Sequence, residues 1–453
     1  MKARHRRAFF WGLSIRFGRC ILISAKRINA GIQGESGKVN LSTVRPFRGL
    51  RPRPELAGNI AAPPYDVLTS DEARERVKDN PISFLRVNKP EVEFPPDTPI
   101  YSQEVYARGK KNFEALVTGG QMVQDKKPSF YLHELTWRGK CQIGLVATLS
   151  IDEYESGRIK RHEHTRPDKV NDRAEHMLAL GAQVGPVMLG FRTQAEIVGL
   201  FEKLSSGRPD TEFESDGVRH RIWVIDDTDA VKKLATAFAS VPNLYIADGH
   251  HRAESAAEVR RRMRAANPEH TGRESYNYFL GVIFPSTQMR ILPYYRVISD
   301  FNGTKLDALF NQAGADFDLS ETKKPLEPES NNVFGVYAGG KWYKLEAKKG
   351  TFDAASPTGS IGTAILEKTF LKPYLGITDV RKDSRVDFVG GIRGLGELER
   401  LVDSGKYKMA FSVHPVTIDQ LLNVADAGEF MPPKSTWFEP KLKSGLIVHL
   451  LGK

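Results

Sequence analysis

Cysteine is nearly absent from this chain: its 453 residues hold two, Cys20 and Cys141. Two cysteines cannot build a disulfide framework, and neither belongs to a C-x-x-C pair of the kind that binds zinc or runs redox chemistry. A reducing compartment fits best, and the chain is expected to be cytoplasmic. Long apolar runs are missing as well. A membrane helix needs about 18 uninterrupted apolar residues, and Arg16 and Arg19 break the one candidate near the N-terminus. No membrane association is expected of the body. Internal repeats and low-complexity tracts are missing. So are a Gly-x-x-x-x-Gly-Lys-Ser/Thr phosphate loop and an H-E-x-x-H zinc helix, and the glycines at 390, 391, 394 and 396 are too loosely spaced for a nucleotide fingerprint.

What is present is an ordinary globular composition, 40% apolar and 27% charged residues, on a chain long enough for two or three domains. The net charge of +11 invites a nucleic-acid reading until its position is considered. Residues 1–40 hold nine Lys or Arg against the single acid Glu35, so eight of the eleven net charges lie there and three are spread over the rest. A body so nearly balanced gives no footprint for DNA or RNA. Residues 1–43 read as a basic, disordered extension: a start-site extension in preference to a targeting peptide or a flexible arm.

Proline density marks the start of folded sequence near Val44, in VRPFRGLRPRPELAGNIAAPPYDVL. Thr69 or Ser70 caps a charged helix that Asn80-Pro81 stops. Apolar spacing predicts a second helix over 100–117, and SFYLHELTW and CQIGLVATLSI form a hairpin about Arg138-Gly139-Lys140. A polar stretch, RIKRHEHTRPDKVNDR, leads into a helix ending near Leu180, and GPVMLGF and RHRIWVIDD follow as strands. Asn243 to Asp248 is an apolar strand that breaks at Gly249, and an Ala- and Arg-rich helix is predicted over 253–265. Beyond residue 300 the texture changes to an α+β unit of its own, with strands NVFGVYAG, KWYKLEAK, KMAFSVHPV and GLIVHLL. The reading is α+β, with one domain over 44–300 and a C-terminal unit over 301–453.

The densest chemistry is Asp248-Gly249-His250-His251-Arg252. Polar side chains sit where an apolar strand breaks and a helix begins, which is the geometry of an anion site: N–H groups at a helix start are unpaired and the dipole favours negative charge. Gly249 allows close approach of a phosphate, Arg252 can grip it with a two-pronged fork, and Asp248 can hold Mg²⁺ or the attacking hydroxyl. The bland alternative is a helix cap with surface histidines. The second constellation is Arg161-His162-Glu163-His164-Thr165, followed by Asp168, Lys169, Asp172 and Arg173. In extended backbone the two histidines share one face and Glu163 the other, and Glu163 is a credible base for a hydroxyl nucleophile; a solvated loop is the alternative. Together the two segments also admit a metal hydrolase with His162, His164, Asp248, His250 and His251 as ligands. Two proline-rich segments, PPYDVL (Tyr65, Asp66) and MPPKSTWFEPKLKSG (Lys434, Ser435, Thr436), either line a pocket or simply pack as loops.

The order HEHT, helix, GPVMLGF, strand, DGHHR resembles the core of the ParB/sulfiredoxin superfamily, and specifically its free serine kinases. The longer pattern from VRPFRGLRP and APPYDV through DGHHR to MPPKSTWFEPKL, roughly residues 44–451, resembles a widespread bacterial family known as a domain of unknown function. The kinase resemblance implies an ATP-dependent transfer to free L-serine or a similar small hydroxy compound. It implies Glu163, Asp248 and His250 as catalytic groups, Thr165, Gly249, His251 and Arg252 on the nucleotide phosphates, and Asp248 on Mg²⁺. Arg173 and Arg48 are the candidates for the acceptor's carboxylate. Partners are then a nucleotide and a hydroxy amino acid, with a homodimer allowed for. The ParB side of the resemblance offers a rival, a nucleotide-binding switch without transfer. About 65 residues separate Gly185-Pro186 from the DGHHR turn, and the C-terminal unit is an addition to the shorter kinase pattern.

Overall fold

The computed structural model describes residues 44–452, so the basic extension lies outside the described residues. A nine-stranded mixed sheet carries the first half of the chain. Its strands are β1 (Val44–Arg45), β2 (Phe130–Trp137), β3 (Lys140–Ser150), β4 (Ile159–Lys160), β5 (Val187–Phe191), β6 (Thr211–Ser215), β7 (Val218–Ile225), β8 (Leu244–Asp248) and β9 (Tyr278–Pro285). They lie in the order β4-β8-β5-β9-β3-β2-β7-β6, with β1 beside β3. The β4–β8 and β5–β9 pairs are parallel and the others antiparallel. The hairpin turn between β2 and β3 holds Arg138 and Gly139 at positive φ, as a tight connection between twisted strands demands.

Both faces of this sheet are covered, which explains why its strands read as nearly continuous apolar runs. Side chains alternate across a strand: Phe130 and Leu132 of β2 go to one core while Tyr131 and Leu135 go to the other. The first face packs on helices, among them α3 (Pro167–Leu180) and α4 (His250–Ala265). Ahead of these in the chain stand α1 (Ser70–Val77), closed by a capping box between Thr69 and Glu72, and α2 (Gln103–Thr118). The second face is covered by the end of the chain, through Val416, Leu421, Phe438, Leu446 and Ile447.

A second sheet of six antiparallel strands has its own core. It is built from β10 (Tyr294–Ile298), β11 (Phe317–Thr322), β12 (Val333–Ala338), β13 (Lys341–Ala347), β14 (Val386–Gly390) and β15 (Met409–Val413), ordered β11-β13-β12-β15-β10-β14. The α+β class expected from the sequence is what the fold shows. After β15 the chain returns to the first sheet. Ser444 exchanges backbone bonds with Ala62 (2.8 and 3.1 Å), and Val448 with Leu50 (2.9 and 3.0 Å). The strand expected over GLIVHLL shrinks to His449–Leu450, because its neighbours pair only through these single bridges. Among the described residues no helix is long and apolar enough to cross a membrane.

Candidate functional site

Strand β8 ends in an irregularity. Opposite β5 its register steps from Ile246 to Asp248 while the partner advances one residue, from Leu189 to Met188. A bulge of this kind re-aims a side chain, and here it sets Asp248 at the head of the turn. Gly249 then takes φ 97°, ψ 32°, a left-handed conformation, and caps α4 without a side-chain bond. The helix starts at His250, three residues earlier than the predicted Ala253, so His250, His251 and Arg252 are its first turn and not the loop before it. Its backbone ladder begins with Arg252 N–H donating to Gly249 O at 2.9 Å. The N–H groups of His250 and His251 precede that bond and carry the positive end of the helix dipole.

Arg252 is buried, with 5% of its surface exposed. Its Nη1 donates to Pro186 O at 2.7 Å, while Nη2 is buried and makes no hydrogen bond. Nη2 stands 3.5 Å from Asp66 and 3.9 Å from Asp248, too far for more than an ion pair. Asp248 is also 3.5 Å from Lys441 Nζ. Burial pushes the Asp248 carboxyl up, but Lys441, Arg252 and Lys434 outweigh it and hold the group below the ordinary aspartate range. It is a carboxylate at neutral pH.

Glu163 Oε2 lies 3.7 Å from His250 Nδ1. The two constellations, 85 positions apart in sequence, thus meet in space. Burial raises the Glu163 carboxyl above the usual range, and Asp248 and Asp66 add to the rise against Lys434 and Lys441. The side chain is 37% exposed, which is consistent with that burial because it is recessed in a cavity that solvent enters. His250 is itself buried and held neutral, first by desolvation and then by His162, His251 and Arg161.

One cavity of about 990 Å³ is lined by Glu163, Thr165, Asp248 through Arg252, and Arg173. Arg173 is turned partly elsewhere: its Nε donates to Asp172 at 2.7 Å and its guanidinium lies over the Tyr65 ring at 4.2 Å. Arg48 is not brought to the cavity. It donates to Asp125 O at 2.9 Å on an exposed surface and lines neither cavity, which corrects its expected place beside the acceptor. A smaller annex of about 100 Å³ opens from the same region. Glu163, Asp248, Asp66 and Lys434 line both spaces, while Lys441, Trp437 and Tyr294 line the annex alone.

The two proline-rich segments therefore contribute Asp66, Lys434 and Lys441, and of these Lys441 was not singled out from sequence. Its signal was weak: a lysine near prolines reads as a surface loop. Lys434 has φ 55°, uncommon for a side-chain-bearing residue. Arg296 of β10, fully buried, fixes that backbone by donating to Pro433 O at 3.1 Å and Lys434 O at 2.9 Å. Met431 N–H donates to His162 O at 2.9 Å, tying the same loop to the HEHT segment. Arg381, Lys382 and Phe388, from the second sheet and the loop before it, also line the large cavity.

The five residues considered as hydrolase ligands do not converge. The His162 and His250 rings pack edge to face at 4.5 Å, His164 stacks on Phe430 at 3.8 Å, and His251 Nε2 accepts from Arg166 N–H at 3.0 Å. Among the described residues no three His, Cys, Asp or Glu side chains are grouped as a metal cage. Mg²⁺ needs less, one or two protein carboxylates with the remaining ligands from phosphate and water. Asp248 and Asp66, flanking the Arg252 guanidinium, fit that requirement.

The site belongs to an α+β protein with an anion-ready turn at its centre. The chain is a member of the family described as protein of unknown function (DUF1015), which matches residues 44–368. Among curated proteins none matches. Similar solved structures include a free serine kinase in complex with AMP, at 13% identity over 65% of this chain and 86% of that one, TM-score 0.33. A conserved hypothetical protein from Pyrococcus furiosus follows at 14% identity, 66% and 93% coverage and TM-score 0.33. SbnI with a C-terminal truncation, from Staphylococcus aureus, has 12% identity, 65% and 84% coverage and TM-score 0.33. Likeness this distant carries no argument about activity, which rests on the site.

Proposed function

We propose that this chain is a nucleotide-dependent phosphotransferase with an alcohol acceptor, a kinase of a small hydroxy compound such as free L-serine, with ATP as donor. The observation that carries the reading is the meeting of Glu163 with the DGHHR turn, 3.7 Å from His250 at the wall of a shared cavity. The nucleotide's phosphates lie at the start of α4, against the N–H groups of His250 and His251 and the Nη2 of Arg252, with Thr165 and Gly249 beside them. Asp248 and Asp66 are the residues that would hold Mg²⁺, which when bound neutralises charge on the phosphate oxygens.

Glu163 takes the proton of the acceptor hydroxyl. The acceptor oxygen bonds to the γ-phosphorus as the bond to the β-phosphate oxygen breaks, and the nucleoside diphosphate leaves with that electron pair. The raised carboxyl of Glu163 suits a general base, because a stronger base removes a hydroxyl proton more readily. His250, neutral and buried, orients it. The remaining work is positioning and charge neutralisation, as phosphoryl transfer requires. Glu163→Gln is nearly isosteric and removes only the base: kcat is expected to fall by about 10²–10⁴ with nucleotide affinity unchanged. Phosphate transfer followed by ³¹P NMR checks this. A Gln variant as fast as the parent would refute the assignment.

A further inference from the structure

The annex has a composition that the transfer chemistry alone does not explain. Lys441 lies over the Trp437 ring at 5.0 Å, and Lys434 over the Tyr294 ring at 5.4 Å. An ammonium over an aromatic face is held in place without using its N–H donors. Lys441 makes one long ion pair, with Asp248, and an ammonium has three donors to offer. Its side chain is 17% exposed, so an anion meeting it is largely out of water, where such a pairing is stronger.

Position separates the two lysines. Lys434 stands at the junction of the two spaces, and Lys441 belongs only to the annex. Size adds a limit. A cavity of about 150 Å³ accepts the six heavy atoms of benzene, so an annex of about 100 Å³ takes about four, enough for the acid end of a small molecule whose other end reaches the junction with the larger space. A nucleotide is excluded from it, and the cavity of about 990 Å³ beside it has room for one.

We infer that the annex is the acceptor subsite, and that the acceptor is a hydroxy acid of three or four carbons whose carboxylate is gripped by Lys441. This rests on the phosphotransferase reading. With the carboxylate on Lys441, the acceptor's hydroxyl lies toward Glu163 and Asp248 at the junction, and Lys434 is placed beside the phosphoryl group in transit. The carboxylate is thereby held by a residue from the last segment of the chain, in the role that Arg173 and Arg48 were expected to fill.

Four probes test the inference on the full chain: L-serine and D-glycerate, which meet both requirements, glycerol, which lacks the acid, and gluconate, which is too long. Calorimetric binding without nucleotide and ³¹P-detected transfer from ATP are measured for each. Serine and glycerate are expected to bind and to be phosphorylated, the other two not. Lys441→Gln is expected to weaken acid binding measured without nucleotide, and to raise KM for the acid, at least about tenfold, the loss of one charge-assisted bond. Lys441→Arg, which keeps the charge, restores part of the loss and guards against misreading a folding defect. Small acids that bind the parent and not Lys441→Gln, with no transfer to any alcohol, would leave the subsite standing and remove the kinase reading. Transfer to glycerol or gluconate as efficient as to serine would do the reverse. Acid binding that is absent, or indifferent to Lys441, overturns the inference.

Discussion

Arg252→Lys separates two things that one guanidinium does at once. Arg252 balances Asp66 and Asp248 at 3.5 and 3.9 Å, and it presents a fork with one prong anchored on Pro186 O and the other buried and unbonded at the cavity wall. Lysine keeps the charge and loses the fork. The ion pairs therefore survive, and the folded protein loses about 1 kcal/mol with the Pro186 bond. A phosphate at the turn loses a charge-assisted bond of about 1.5–3 kcal/mol, which is about 10- to 150-fold in Kd. Calorimetric titration of ATP and AMP into parent and variant reads the affinity, and thermal melting reads the stability. A variant that melts close to the parent and binds ATP within twofold of it would show that no phosphate rests on Arg252. Arg252→Met is the companion measurement. It strips the counter-charge from Asp248 and Asp66, so it should destabilise as well as weaken binding. If Met alone costs affinity and Lys costs none, Arg252 acts as a field and not as a fork, and the geometry argued above is wrong.

Gly249→Ala places a Cβ 3.4 Å from Arg252 Nη1 and 3.5 Å from the Val187 backbone, at φ 97°. A left-handed Ala costs roughly 1–2 kcal/mol, so a lowered melting temperature and weaker ATP binding are expected together, and an unchanged Kd would contradict the phosphate position. Stability should also fall with acid. Burial lowers His133, His162, His176 and His449 to about 4 from the ordinary 6.5. Between these values the unfolded chain binds more protons than the folded one, so stability rises with pH through the window and is lost as pH falls from about 6.5 toward 4. A melting temperature flat from pH 7 to pH 5 would show these rings to be less buried than described.

The sequence carried the elements with strong local signals. The β2–β3 hairpin, the helix cap expected at Thr69 or Ser70 and found at Thr69, and the apolar run of β8 each follow from a few adjacent residues. The start of α4 was misplaced because Ala richness begins at Ala253, whereas the helix is set by the left-handed Gly249 that ends the strand. Arg48 was a guess without a local signal, and it went to the Asp125 carbonyl. Charge type alone does not say which arginine a fold will turn inward.

What no local pattern could supply is the closure of the site by the last part of the chain. Met431–Lys441 reaches Asp248 and His162 only because Ser444 and Val448 pair with Ala62 and Leu50, and because Arg296, on the second sheet, clamps the carbonyls of Pro433 and Lys434. Those contacts join residues separated by well over one hundred positions, and none of the partners is unusual in its own segment. The C-terminal unit is therefore more than an appendage to the first sheet. It supplies Lys434 and Lys441 to the place where Glu163 and Asp248 stand, and Arg296, a buried arginine of the second sheet, holds that loop by donating to the carbonyls of Tyr294, Pro433 and Lys434. Without Lys434 and Lys441, Arg252 would be the remaining cation of the three that hold the Asp248 carboxyl low. On the proposed reading, the α4 turn grips the nucleotide and Lys441 the acceptor, and the Lys441–Asp248 ion pair links the two.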